Sequence, residues 1–342
     1  MNRTLRVGVI GTGALGRHHA RIYSELAAAG EAEFVGVHDL VPETAAEVAR
    51  RHGVRAFPTF ESLVEACEAL SIVTPTVTHY ELARHCLSRG RHVLVEKPMT
   101  ERSEQAAELV ELARQHGCVL QVGHVERFNP VFDYLQSVAR QPRFIEVHRL
   151  SPYPARSTDV GVVLDLMIHD LDVVLAFVAA PVVSVEAVGV AVLSGSEDIA
   201  NARLRFANGC VANLTASRVS PERLRKIRVF SAGPDPCYIS LDYRAQEGFI
   251  YRLAGADEPE SSALSRLLAL AGREATVVTA YAGRKIVRQP VPLNKDEPLK
   301  LELRHFLECV RARQSPRVDG QAAKAALDLA LEITRQIQST KP

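Results

Sequence analysis

The sequence predicts an α/β protein with an N-terminal doubly wound parallel sheet and a C-terminal α+β domain built on a large, mostly antiparallel open sheet. Three observations predict it. Short apolar runs alternate with helical stretches over the first third of the chain, a glycine-rich turn joins the first such pair, and past residue 180 the helical stretches give way to successive β-like runs. At 342 residues the chain is long enough for two domains with separate cores, and the change of pattern divides it into 1–123 and 124–342.

The first strand is the apolar run Leu5 to Ile10. It leads into GTGALG, with glycines at 11, 13 and 16, and then into the helical RHHARIYSELAAAG, which stops at Gly30. Strand, glycine turn and helix in this order form the dinucleotide-binding fingerprint of a Rossmann domain. Gly11 permits the tight turn, Gly13 lets a pyrophosphate approach the backbone, and Gly16 lets the helix pack on the strand; Thr12, Ala14 and Leu15 complete the cofactor loop. The helix N-terminus favours the anion through its backbone N–H groups and macrodipole. The second strand, Glu33 to Leu40, delivers Asp39 just past its apolar part. That is the expected place for an acid bonding the adenosine ribose, and its charge repels a 2′-phosphate, so NAD is expected over NADP. Asp39 also reads as the N-cap of the helix in PETAAEVARRHG.

Three more apolar strands follow, ending in TPTVTH (Thr74 to His79), EKP (Glu96 to Pro98) and GHVERFNP (Gly123 to Pro130). Ligands of a doubly wound sheet bind at the carboxyl ends of its strands. Thr74, Pro75, His79, Glu96 and Lys97 are therefore further candidates for contact with the cofactor, Lys97 beside the nicotinamide.

In the second part, FNPVFDYLQSVARQ reads as a helix, RFIEVHRL as a strand, and Asp159 to Val178 as a helix carrying Asp165 and His169 four residues apart on one face, with Asp172 on nearly the same side. Five β-like segments follow between VVSVEAVGVAVL and ATVVTAYAGRKIVRQ, with a hairpin signal at Asn208-Gly209. Residues 264–272, Pro298 to Arg313 and Gly320 to Ile337 read as helices. An open sheet with one uncovered face predicts a homo-oligomer, a dimer or a tetramer.

Composition narrows the function classes. Hydrophobic residues make up 47% and charged residues 24%, as in ordinary globular proteins. Lys plus Arg number 41 against 40 Asp plus Glu, which leaves no basic excess for nucleic acid or an anionic membrane. The six scattered cysteines form no CxxC pair, so neither a metal site nor a disulfide framework is expected, and a cytoplasmic setting fits.

With GTGALG, Asp39, TPTVTH and EKP in this order, the chain resembles the Gfo/Idh/MocA family of oxidoreductases. The resemblance implies that Lys97 is a catalytic lysine near the nicotinamide and the substrate hydroxyl, that the Lys97-Pro98 bond is cis, and that Asp165 and His169 belong to the catalytic set. VGHVERFNPVF, YPARSTDVGVVLDLMIHDLD and TASRVSPERLRKIRVFS resemble the branch of that family acting on nucleotide-linked amino sugars. This implies oxidation of UDP-N-acetylglucosamine at C3, yielding a 3-keto sugar for a partner aminotransferase.

Oxidising a secondary alcohol needs a base for the hydroxyl proton. His169 suits it by its intrinsic pKa, with Lys97 bonding the same oxygen; a desolvated Lys97 is the competing base. Asp165 would orient His169 or hold a neighbouring hydroxyl. Arg127, Arg156 and Arg218 suit a diphosphate, or are solvated surface charges. His124, Glu126 and Asn129 either contact sugar hydroxyls or cap the nearby helix. A free polyol such as an inositol is the rival substrate, and a non-catalytic dinucleotide sensor the rival class.

Overall fold

The computed structural model describes residues 4–153, 160–233, 235–254, 276–281 and 284–339. The chain forms two compact units, Met1–Phe128 with Glu297–Asp328, and Asn129–Asp296 with Leu329–Pro342.

In the first unit six parallel strands run in the order β3-β2-β1-β4-β5-β6. They are β1 (Arg6–Ile10), β2 (Glu33–His38), β3 (Arg55–Ala56), β4 (Ala69–Ile72), β5 (His92–Glu96) and β6 (Leu120–Gly123). Between them lie α1 (Gly16–Ala28), α2 (Pro42–His52), α3 (Phe60–Ala66), α4 (Thr76–Ser88) and α5 (Ser103–Gln115). Every residue of β4, and all but the first of β1 and β5, is buried, as expected of parallel strands covered on both faces. The order reverses between β1 and β4, and the ends of those strands frame the site. The two exposed residues of β3 are too short to leave a pattern in the sequence.

The sequence pattern places everything after residue 123 in the second domain, whereas the structure returns Glu297–Asp328 to the first unit. Helix α8 (Pro298–Ala312) buries Leu303, Phe306, Leu307 and Val310 in the cluster that holds Tyr23 and Leu26 of α1. Its rim carries Lys300–Glu25 at 2.8 Å, Arg304–Glu31 at 2.9 Å, and a contact between Glu297 and Arg21. Burial decides the docking, since each large apolar side chain contributes about 1.5–3 kcal/mol and each half-exposed ion pair about 0–1 kcal/mol. The chain then covers the open edge of β6, where Val122 N donates to Val318 O at 3.1 Å.

The second unit opens with α6 (Pro130–Val138) and β7 (Pro142–Leu150). A turn of π-helix, Val163–Met167, leads into α7 (Ile168–Val178). The sheet continues with β8 (Val182–Val190), β9 (Ile199–Phe206), β10 (Val211–Ser217), β11 (Leu224–Ser231), β12 (Cys237–Asp242), β13 (Glu247–Leu253), β14 (Thr276–Tyr281) and β15 (Arg284–Pro290). Nine strands take the order β14-β15-β13-β12-β11-β7-β10-β9-β8, antiparallel except where β7 meets β10. Gly209 at φ +83° makes the tight turn between β9 and β10 that Asn208-Gly209 predicts. One sheet face buries Ile145, Val147, Ile227, Val229, Ile239 and Leu241. The other carries an aromatic ladder, Phe144–Phe230–Tyr238–Tyr251, with centroid spacings of 5.6, 4.6 and 5.3 Å. The last described helix is α9 (Gly320–Ser339), of which the residues through Asp328 belong to the first unit and the rest to the second. The helix expected over residues 264–272 lies outside the described residues. Among those described, no helix is long and apolar enough to cross a membrane.

Candidate active site

The glycine turn is built as its residue types require. Gly11 sits at φ +91°, where a Cβ would meet Val73 O at 2.4 Å, and a Cβ on Gly16 would meet Gly11 O at 1.9 Å. These two positions fix strand, turn and helix against one another. Gly13 instead faces open space, with nothing within 4 Å of an added Cβ, and the turn Gly13–Leu15 is exposed ahead of α1. This open cradle at a helix N-terminus fits a dinucleotide pyrophosphate.

Asp39 stands beside it. Its Oδ2 accepts from Thr12 N at 2.6 Å and Thr12 Oγ1 at 2.8 Å, and its Oδ1 accepts from Val41 N at 2.9 Å. Burial works to raise its pKa, but the Thr12 and Val41 bonds outweigh it and hold the group below its ordinary value. A charged carboxylate has about four lone-pair sites, so Oδ1 retains acceptor capacity for a ribose hydroxyl. The α2 N-cap position falls to Val41, with no side-chain cap.

The ends of β4, β5 and β6 gather the remaining residues of this unit. Pro75 is the N-cap of α4, and Thr78 Oγ1 donates to Thr74 Oγ1 at 2.7 Å. His79 is buried, with Nδ1 2.8 Å from Pro98 O and Nε2 2.8 Å from Thr74 O. Burial outweighs those carbonyls and holds its pKa low, so the neutral ring has a single N–H to give to one of the two loops. Lys97 is half-buried and the Lys97-Pro98 bond is cis. Glu96 is bonded by His19 Nε2 at 3.1 Å. His19 is a participant the sequence reading missed; the signal was a histidine within the buried stripe Gly16, His19, Ala20, Tyr23 of α1. Burial first, then the charges of Lys97 and Arg127, push His124 down to about 3. Glu126 and Arg127 are also buried, and Arg127 Nη2 donates to Arg317 O at 3.2 Å.

In the second unit, Asn129 takes the capping role: its Oδ1 accepts from Val131 N at 3.1 Å while Nδ2 donates to Tyr243 O at 3.0 Å. Asp165 lies in the π-helical turn and His169 in the first turn of α7, both half-buried. Within the described residues, the helix expected over 159–178 is a π-turn from Val163 followed by an α-helix, the π-bond running from Ile168 N to Val163 O. Four residues remain less than one π-turn, so Asp165 and His169 stay neighbours along the helix. Asp170 anchors this helix to β7 through paired 2.8 Å bonds from Arg149 Nε and Nη2, and Asp172 is buried.

Arg218 is not placed as a diphosphate ligand. It is fully buried, donating Nε to Asp198 Oδ1 at 2.8 Å, Nη1 to Val160 O at 2.6 Å, and Nη2 to Ser194 Oγ at 2.8 Å and Ser196 Oγ at 3.1 Å. Its guanidinium braces the chain just ahead of the Asp165 turn, where Val162 N also donates to Glu197 O at 2.9 Å. Arg156 lies outside the described residues.

Comparison with known proteins gives this arrangement its relatives. Residues 5–124 match the family model described as an oxidoreductase family with an NAD-binding Rossmann fold, and residues 135–232 match the GFO/IDH/MocA C-terminal domain. The chain is 36% identical over 336 residues to UDP-N-acetylglucosamine 3-dehydrogenase of Acidithiobacillus ferrooxidans, covering 98% of each. A solved structure of that enzyme matches with a TM-score of 0.85 over 98% of both chains. The scyllo-inositol 2-dehydrogenase (NAD(+)) of Bacillus subtilis is 25% identical over 363 residues, 100% of this chain and 96% of its own. The glycine turn, the acid after β2, the cis Lys97-Pro98 segment and both matched domains agree: the chain belongs to the Gfo/Idh/MocA family of NAD-dependent oxidoreductases.

Proposed function

We propose that the protein oxidises the C3 hydroxyl of UDP-N-acetylglucosamine to the 3-keto sugar. The observation that carries this reading is the 36% identity, sustained over 98% of the chain, to an enzyme named for that reaction, against 25% for the inositol enzyme. The turn Gly11–Gly16 and Asp39 would hold NAD, and the Asp39 charge disfavours a 2′-phosphate. Bound NAD supplies the hydride acceptor.

The chain's own residues handle the proton. His169 takes it from the hydroxyl, Lys97 bonds the same oxygen and stabilises the developing negative charge, and Asp165 orients His169 or a neighbouring hydroxyl. The ketone product is a substrate for amination, so an aminotransferase is the expected consumer. The aromatic ladder of the open sheet supports pairing with a second copy of the chain, the even balance of 41 Lys plus Arg against 40 Asp plus Glu favours small-molecule partners, and six scattered cysteines without a CxxC pair fit a cytoplasmic setting.

The test is NADH formation with NAD and a panel of UDP-N-acetylglucosamine, other UDP-sugars and inositols, run with a carbonyl trap. A signal confined to UDP-N-acetylglucosamine and abolished in His169→Ala supports the proposal. A signal only with inositols replaces the substrate, and NAD binding without turnover of any of them replaces the enzyme by a sensor.

A further inference from the structure

His19 lies three residues beyond Gly16 in the line of α1 residues buried against the sheet, and solvent does not reach it. Its Nε2 is 3.1 Å from Glu96 Oε1 at the end of β5, while its Nδ1 is buried with no hydrogen-bond partner among the described residues. A neutral imidazole has one N–H and a carboxylate only accepts, so the proton belongs on Nε2, directed at Glu96. The other Glu96 oxygen lies 3.3 Å from the Lys97 backbone N–H, which it accepts. Gly123 backs the same carboxylate from β6, where a Cβ would come to 2.7 Å from Oε2. Beyond Lys97, the Pro98 carbonyl lies 2.8 Å from His79 Nδ1.

A carboxylate this buried persists only if its acceptors are filled. His19 fills one of them from the helix whose N-terminus forms the pyrophosphate cradle. We infer that His19 is a positioning residue: through Glu96 it fixes the Glu96-Lys97-Pro98 segment relative to α1, so that the helix that receives the cofactor's phosphates also sets where Lys97 stands. The inference rests on the reading of Lys97 as the catalytic lysine.

His19→Gln keeps an N–H at nearly the reach of Nε2, whereas His19→Ala removes it. Misplacing a reacting group by about 1 Å costs on the order of 100-fold, so kcat should fall by about 10- to 100-fold in His19→Ala with NAD affinity nearly unchanged. His19→Gln should recover most of the loss. A second readout needs no substrate: reductive methylation with 13C-formaldehyde labels the seven lysines, and the Lys97 resonance is assigned by its disappearance in Lys97→Arg. That resonance should coincide in wild type and His19→Gln and be displaced in His19→Ala. If His19→Ala does not fold, His19→Asn, too short to reach Glu96, takes its place.

An unmoved Lys97 resonance in the truncated variant, an equal defect in His19→Gln, or a loss confined to the KM for NAD would each overturn the inference. If no sugar is turned over at all, the functional proposal fails while the Lys97 resonance still decides the role of His19.

Discussion

Arg218 Nε meets Asp198 Oδ1 at 2.8 Å with both side chains closed to solvent. Burial works to raise the Asp198 pKa, but bonds from Leu193 N, Arg218 and Ser194 hold it well below the carboxylate range. The pair is internal, and breaking it leaves a buried charge. Arg218→Met should cost about 3–5 kcal/mol, measured by urea unfolding, and should lower kcat by loosening Val160 ahead of the Asp165 turn. A phosphate ligand would behave otherwise, leaving stability intact and raising the KM for the UDP-sugar.

On the proposed reading, the Asp39 carboxylate at the end of β2 sets the preference for NAD over NADP. Losing a hydrogen bond to a charged group costs about 1.5–3 kcal/mol, so Asp39→Ser should reduce kcat/KM with NAD by roughly tenfold or more and narrow the preference over NADP. Steady-state kinetics with both cofactors measures this. An unchanged NAD to NADP ratio would exclude Asp39 from the ribose site.

His124 should shape acid stability. Its ordinary value of 6.5 falls to about 3 in the folded chain. Below 6.5 the unfolded chain takes up a proton that the folded chain refuses, so stability declines as pH falls from 6.5 towards 3. His124→Gln should flatten that limb in urea midpoints recorded across the range. Equal slopes in the two proteins would show that His124 is not buried as a neutral ring.

Phe230 is 38% exposed in the middle of the aromatic ladder. Phe230→Glu should convert an oligomer to monomers, read by light scattering, with thermal stability nearly unchanged because surface substitutions usually stay within about 0.5 kcal/mol. Loss of fold without a monomeric phase would place Phe230 in the core instead.

Gly123→Ala tests the fit around Glu96. The added carbon meets a carboxylate pinned by His19 and by the Lys97 N–H, so it cannot give way cheaply. Overpacking of this kind costs about 1–3 kcal/mol, and calorimetry should show the loss. A neutral substitution would mean that Glu96 moves freely.

The sequence by itself determined the glycine turn, Asp39 after β2, the strand-end position of Glu96-Lys97-Pro98, and the Asp165–His169 spacing. Each depends on residues adjacent in the chain: a positive φ at Gly11, the reach of a strand end, the pitch of a helix. The tertiary structure alone decided the rest. It returned α8 to the first unit because its apolar stripe matches that of α1, which no local pattern reveals. It made Arg218, which by its sequence is either a diphosphate ligand or a solvated surface charge, a buried brace, because its acceptors, Asp198 and Val160, lie 20 and 58 positions away. It brought His19 to Glu96 across 77 positions, and with it the constraint on the lysine. Types and spacings identify the groups that do chemistry; which of those groups are spent on holding others in place depends on long-range pairing, and that exists only once the chain has folded.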